Sequence, residues 1–437
     1  MKLEDIARLA HTDGLSSRFL EDVSLIRGIS EPLRAHELAS PDPDALSDRY
    51  TRHQPMPVTG VILCRNDEET IGRCVESLSQ DVDSILLIDS GSSDRTIDEA
   101  VAAFPAAKVV HLPWVDDFSH HRNAALDHIA HGWVVYVDSD EFLLPSARGR
   151  LRRGLSAVEY LLPDIDIAAC QHILDVEGTD YGYIQRILRA DTAMRFRGRI
   201  HERPYDAAGN SPDTIQIDCS FHHTGYVPSF REKRGKAARN RRVHALCRGE
   251  EPDNPKWVFY TVREELASVR SPEDARSLFR LLESAVEACP DDAPDYLAER
   301  LHDSWVLLCQ LAVAFGGGND LRKYSTLLRN VGRQVHGAYF HAILESSRAL
   351  GVLSGLVDLI SETARHETPD TRHLVGELLE LQASLALASG RHEMVSPALS
   401  GATARGAGCG THEDLGRLRE LLDQLEAADT TPLSSLP

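Results

Sequence analysis

From Pro57 onward, short apolar runs alternate with amphipathic stretches: VTGVILC, SILLID, KVVHL and WVVYVD are separated by helical patterns over 70–79, 94–103 and 119–131. That alternation predicts a parallel sheet with crossover helices. The runs are nearly continuous in apolar residues, as expected where both faces of a sheet are covered. Ligands of such sheets bind beyond the carboxyl ends of the strands, which is where the polar clusters of this chain fall. Strand signals stop after Phe221, and from Pro228 the chain is Leu- and Ala-rich with helical periodicity. Three parts are therefore expected: an N-terminal helical segment and linker (1–55), an α/β domain (56–228) and an all-α domain (229–437). In the first, Phe19, Leu20, Val23 and Ile26 share one helical face ahead of the polar stretch SPDPDALSDRYTRHQPMP. In the last, Ala275 and Phe279 match the A-x-x-x-F step of tetratricopeptide-type hairpins, though a plain helical bundle accounts for the pattern equally well.

The 437 residues are enough for two or three domains with a large core. Net charge is −20 and unevenly spread: residues 1–144 carry 12 basic and 26 acidic side chains, 145–248 carry 18 and 12, and 249–437 carry 17 and 29. An acidic surface of this kind repels a phosphate backbone, so no nucleic-acid partner is expected, while the basic middle could hold one small polyanion. There is no run of eighteen apolar residues and the start MKLEDIARLAHTDG is acidic, so a soluble, cytoplasmic protein is expected. Eight scattered cysteines without a C-x-x-C pair read as reduced structural thiols.

Four clusters carry chemistry. In VVYVDSDEF a strand ends in Asp138 and Asp140, two hard oxygen ligands that can hold Mg²⁺ or Mn²⁺ beside a diphosphate, or else form a solvated acidic turn. In ILLIDSGSSDRT, Asp89 ends a strand, Gly91 permits an unusual turn and Asp94 can cap the next helix. Neither G-x-G-x-x-G nor a phosphate-loop G-x-x-x-x-G-K-[ST] is present. In HLPWVDDFSHHRNAAL, Ser119 is a candidate N-cap, and Arg122 and Asn123 then fall in the first turn, where a cation opposes the helix dipole unless it faces an anion. The adjacent His120 and His121 point in different directions on a helix and suit ligation poorly. Finally, the basic stretches QRILRADTAMRFRGRIHERPY and IDCSFHHTGYVPSFREKRGKAARNRR contain Glu202, an acid in an Arg-rich setting that favours its ionised form, and His223 near the end of the last strand. Most of the basic residues from 231 to 242 read as a solvated helical face.

In this order, ILCRNDEETIGRC, IDSGSSDRT, W-x-x-DFS-x-x-RN, VDSDE, RILR to FRGRIHE and H-x-G-Y resemble the family 2 glycosyltransferases of the GT-A (Rossmann-like) fold, over about 170 residues. The subgroup resembled is non-processive and includes lipopolysaccharide-core sugar transferases and the peptide S-glycosyltransferases of bacteriocins, the sublancin type among them, which carry a tetratricopeptide-like helical domain. The resemblance implies an inverting transfer of a hexose from a nucleotide sugar, UDP-hexose being the expected donor. It places Asn66, Glu68 and Asp89 in the nucleoside pocket, Arg122 and Asp138 at the diphosphate, and Asp138, Asp140 and His223 around Mg²⁺ or Mn²⁺. Glu202 is the expected base, with Glu141 as its rival. Asp67 departs from the family's N-E-E pattern. The acceptor expected is a peptide side chain, a Cys thiol or Ser hydroxyl, received by the helical domain; alternatives are a saccharide or lipid-linked acceptor of the cell envelope, or a noncatalytic helical scaffold. The helical domain could also serve a homodimer.

Overall fold

The structure is a computed structural model that describes residues 1–12, 17–175, 179–224, 236–407 and 417. The expected calls at Gly225 and Tyr226, and at the basic residues 231, 233 and 234, lie outside the described residues. The chain divides into two compact units: Met1–Arg270 with Ser277–Ser304, and Ser271–Arg276 with the described residues from Trp305 on.

The first unit is built on a mixed sheet of β1 (Ile26–Ile29), β2 (Val58–Cys64), β3 (Ser84–Asp89), β4 (Lys108–His111), β5 (Trp133–Asp138), β6 (Glu141–Leu143), β7 (Ala168–Asp175), β8 (Asp180–Arg189) and β11 (Thr214–His223). Its order is β1-β11-β7-β8-β5-β2-β3-β4, with β6 on β11. A separate ribbon pairs β9 (Arg195–Arg197) with β10 (Arg203–Tyr205). The predicted parallel half is present, since β2 pairs in parallel with both β3 and β5, and β3 with β4. Its crossovers are the helices Ile71–Leu78, Thr96–Ala103 and Phe118–Leu126. Period-two alternation splits these strands between two cores. Ile62, Leu87 and Val135 join the larger one, whereas Val61, Leu86 and Val134 join Leu126 and Phe196 on the other face.

Beyond β5 the sheet turns antiparallel through β8, and β7 then runs parallel to β11. The N-terminal segment departs from its expected single helix. The helix Arg18–Val23 ends before Ile26, which opens β1 and pairs with Ile217 on β11. Ser17 caps that helix, and Phe19, Leu20 and Val23 pack into the larger core, so three members of the expected apolar face share the helix and the last lies on a strand.

In the second unit the helices Gly318–Asn330, Gln334–Thr363, Arg372–Ala388 and His392–Thr403 follow one another, each packed on the next. Among the described residues, no helix is long and apolar enough to cross a membrane, and the cysteines are free.

Candidate active site

The carboxyl ends of β2, β3 and β5 open onto a cleft of about 570 Å³. Its first wall is the turn after β2, where Asn66 adopts a left-handed φ of 54°. The Asn66 side-chain oxygen accepts from the Ser93 N–H (2.8 Å), and Glu68 accepts from the Arg95 N–H (3.0 Å). In return Asp94 accepts from the Glu68 N–H (3.2 Å) and from the N–H of Thr96 (3.0 Å) at the start of the next helix. Two loops 26–27 residues apart in sequence are thus stitched into one surface. Gly91 has a φ of 103°, the turn expected of it and one that side chains rarely adopt.

Asn66, Glu68 and Asp94 line the cleft, but Asp89 is absent from its lining. Asp89 is buried, with its carboxylate accepting from the Ser92 N–H (2.9 Å) and paired with His111 Nδ1 (2.9 Å). Burial alone would raise its pKa; the bonds from Ser92 and His111 carry it below the ordinary carboxylate value. It therefore shapes the turn that presents the lining residues. Asp67, where the family pattern has Glu, is also buried. It accepts from the Arg65 N–H (2.9 Å) and from the Ser139 hydroxyl (2.6 Å), tying the first loop to the D-S-D turn. Only its departure from N-E-E marked it in the sequence.

The helix Phe118–Leu126 is capped by Asp117, whose carboxylate accepts from the His120 N–H, and not by Ser119. Arg122 consequently falls in the second turn, away from the helix N-terminus. Asn123 acts as a strand partner, donating to the Phe196 carbonyl (2.9 Å) and accepting from the Phe196 N–H (2.8 Å). His121 is buried between the carbonyls of Asp117 and Leu112, a packing role that fits its poor prospects as a ligand.

The floor of the cleft is a network of charges. Arg122, 4 % exposed, donates from Nε to Glu202 (2.7 Å) and from Nη2 to Asp138 (3.0 Å). Arg186 bridges the other oxygen of Asp138 (2.9 Å) to Glu141 (2.9 Å). Four carboxylates, Asp138, Asp140, Glu141 and Glu202, are grouped with two guanidiniums. For Asp138, Arg186 and then Arg122 outweigh burial and hold the carboxyl well below its ordinary range. Glu141 goes the other way, pushed up to about 7 by burial and by the neighbouring carboxylates despite Arg186. Arg122 lines the cleft; Glu202, bonded to Arg122 Nε and 10 % exposed, is not among the lining residues.

Asp138, Asp140 and His223 come together, each offering an atom within 4.8 Å of the others, with His223 Nε2 3.4 Å from Asp140. The strand β11 delivers His223, and Thr224 fixes the Asp140 carbonyl through its N–H (2.9 Å) and hydroxyl (2.8 Å). Two carboxylates and an imidazole, in a floor with surplus negative charge, form a donor set suited to Mg²⁺ or Mn²⁺. Arg239, from the helix Lys236–Glu250, also lines the cleft and stacks over Phe118 at 5.0 Å. In the sequence it belongs to the basic stretch expected to form a solvated face, because nothing in a run of Arg and Lys marks the one that turns inward.

Residues 60–224 match the family described as Glycosyl transferase family 2. The SPbeta prophage-derived glycosyltransferase SunS of Bacillus subtilis is 25% identical over 387 residues, covering 85% of this chain and 86% of its own. The lipopolysaccharide core biosynthesis glycosyltransferase LpsC of Rhizobium meliloti is 28% identical over 110 residues, 24% of this chain and 40% of its own. A TPR repeat-containing protein of Synechococcus elongatus is 28% identical over 200 residues, 44% and 48% respectively. With the GT-A fold and the intact D-S-D turn, the family match sets the noncatalytic scaffold aside: the chain is a glycosyltransferase whose residues 60–224 form a family 2 domain.

Proposed function

We propose that this enzyme moves a hexose from a UDP-sugar, with inversion at the anomeric carbon, to a side chain of a peptide acceptor. The observation that carries the reading is the continuous arrangement of Asp138, Asp140 and His223 with Arg122 and Glu202. Asn66 and Glu68 would receive the nucleoside, and Asp138, Asp140 and His223 would hold Mg²⁺ or Mn²⁺. Bound there, the cation would supply positive charge to the departing diphosphate. Arg239 adds a second cation to the cleft lining, while Arg122, paired with both Asp138 and Glu202, helps keep Asp138 ionised. Glu202 takes the proton of the acceptor hydroxyl or thiol as that atom bonds to the anomeric carbon; the bond from that carbon to the diphosphate oxygen breaks, and its electron pair leaves with UDP.

The peptide reading is supported by the extent of the likeness to SunS, which runs through most of the chain and so includes helices beyond residue 224. The second reading, a saccharide or lipid-linked acceptor, has the shorter likeness to LpsC in its favour. Exposed Val335, Tyr339, Val352 and Leu359 on the helix Gln334–Thr363 support self-association through the helical region. UDP release from a panel of UDP-hexoses, with and without Mn²⁺ and with peptide or saccharide acceptors, tests the proposal. Release that rises with Mn²⁺ and a Cys- or Ser-containing peptide is expected; stimulation by saccharides alone would overturn the peptide acceptor.

A further inference from the structure

We propose that Lys256 is a positioning residue for sugar transfer, holding the backbone just before Glu202 in the conformation that places its carboxylate. The inference rests on the reading of Glu202 as the base. Glu202 follows His201, a non-glycine residue at φ 55°, in the left-handed region that costs an L-residue about 1–2 kcal/mol. Something must hold it there. From the helix Pro255–Glu265, the Lys256 ammonium donates to the His201 carbonyl (3.0 Å) and to Glu299 (2.5 Å). Lys256 is fully buried and its partner Glu299 is 6 % exposed, with the same Glu299 oxygen also accepting from the Tyr205 hydroxyl (2.9 Å). The His201 ring is fixed as well: it stacks on Tyr260 at 3.9 Å and 9°, with His244 at 5.3 Å. At the end of the preceding helix, Lys236–Glu250, Glu250 pairs with Arg199 (2.7 Å). The segment 199–201 is thus gripped at three points by residues beyond the family domain, and the grip ends where Glu202 reaches Arg122.

Stability alone accounts poorly for such a device. A buried ion pair is often no better for folding than apolar residues of similar volume, because desolvation offsets the attraction. What Lys256 supplies and an apolar side chain cannot is a donor aimed at one carbonyl. A shift of about 1 Å in a reacting group can cost about 10²-fold in rate, so a modest release at His201 should be visible in turnover.

The test is UDP release in Mn²⁺ from UDP-glucose, or from the fastest donor of the UDP-hexose panel, with water as acceptor so that no acceptor need be identified. The double variant Lys256→Met/Glu299→Gln removes both charges together, leaves no lone buried ion, and keeps an acceptor for Tyr205; circular dichroism and UDP binding confirm that it is folded. Turnover should fall about tenfold while KM for the donor stays within about twofold. Placed in a Glu202→Gln background, the same pair should cost less than about twofold more, because its effect passes through Glu202. A folded double variant with unchanged turnover, or an undiminished loss in the Glu202→Gln background, would overturn the positioning role while leaving the base assignment intact. Full turnover in Glu202→Gln itself would overturn both.

Discussion

The first unit contains two buried charge clusters that look alike in composition and differ in closure. At the cleft floor, Arg122 and Arg186 pair with three carboxylates, Asp140 adds a fourth beside His223, and Asp138 keeps 30 % of its side chain exposed. Around Lys256 and Glu299 the charges are enclosed, with Trp257, Tyr296 and Tyr205 packed against them. The open cluster has surplus negative charge facing a cavity, which is an arrangement for receiving a cation. The closed one joins the Lys256 ammonium to the His201 carbonyl and to Glu299, which is an arrangement for holding a shape.

The comparison can be broken in four ways. The largest effect is expected from Asp140→Asn: UDP release should drop on the order of 10²–10³-fold, while urea unfolding without metal shifts by less than about 1 kcal/mol, because the substitution relieves crowded carboxylates. If stability falls with activity, the floor is structural. Next, Lys256→Met alone takes from Glu299 its one hydrogen-bonded cation and leaves it only the longer contacts to Arg300 (3.5 Å) and Arg203 (3.7 Å), so unfolding free energy should fall by about 1–3 kcal/mol, a loss that the paired Glu299→Gln substitution largely recovers. A single variant as stable as the pair would show that the enclosed cluster is wetter than its geometry indicates.

A third effect depends on pH. Burial, then His244 and Lys256, push the His201 imidazole down to about 2, so it stays neutral in the folded state and takes a proton only on unfolding. Stability is therefore fully present above the ordinary histidine pKa of about 6.5 and declines as pH falls below it, by about 1.4 kcal/mol per pH unit. His201→Phe should flatten that slope in acid-unfolding curves between pH 6.5 and 5, and an unchanged slope would assign it to other groups. Smallest is Glu250→Ala. Its partner Arg199 is 24 % exposed and Glu250 itself 54 %, so less than about 1 kcal/mol should be lost in thermal unfolding.

Much of the cleft was legible because local rules write it. The apolar period of β2, β3 and β5 named the strands, strand ends named Asp138 and Asp140, and Asn66 entered through the family resemblance. The rest depends on contacts that no local pattern encodes. Arg122 and Glu202 lie 80 residues apart and Arg186 and Glu141 lie 45 apart, so the ion pairs that fix their roles are properties of the fold. Asp89 has the position of a ligand-binding residue, but its fate was decided by His111 arriving from β4. Lys256 had one local signal, a lysine opening the apolar run WVFY, which a helix surface would not explain. Ile26 was placed on the wrong element because four apolar residues at helical spacing cannot reveal that the chain turns at Ser24 to meet a sheet edge.

That edge pairing has a consequence for how the molecule is made. Arg27 on β1 and Asp218 on β11 are bonded across 191 residues of chain. At ribosomal rates of about 5–20 residues per second, β1 waits about 10–40 s for its partner to be synthesised. Throughout that interval the first strand is an unpaired template with apolar neighbours, and the nascent chain is most exposed to chaperones and to mispairing before the family domain is complete.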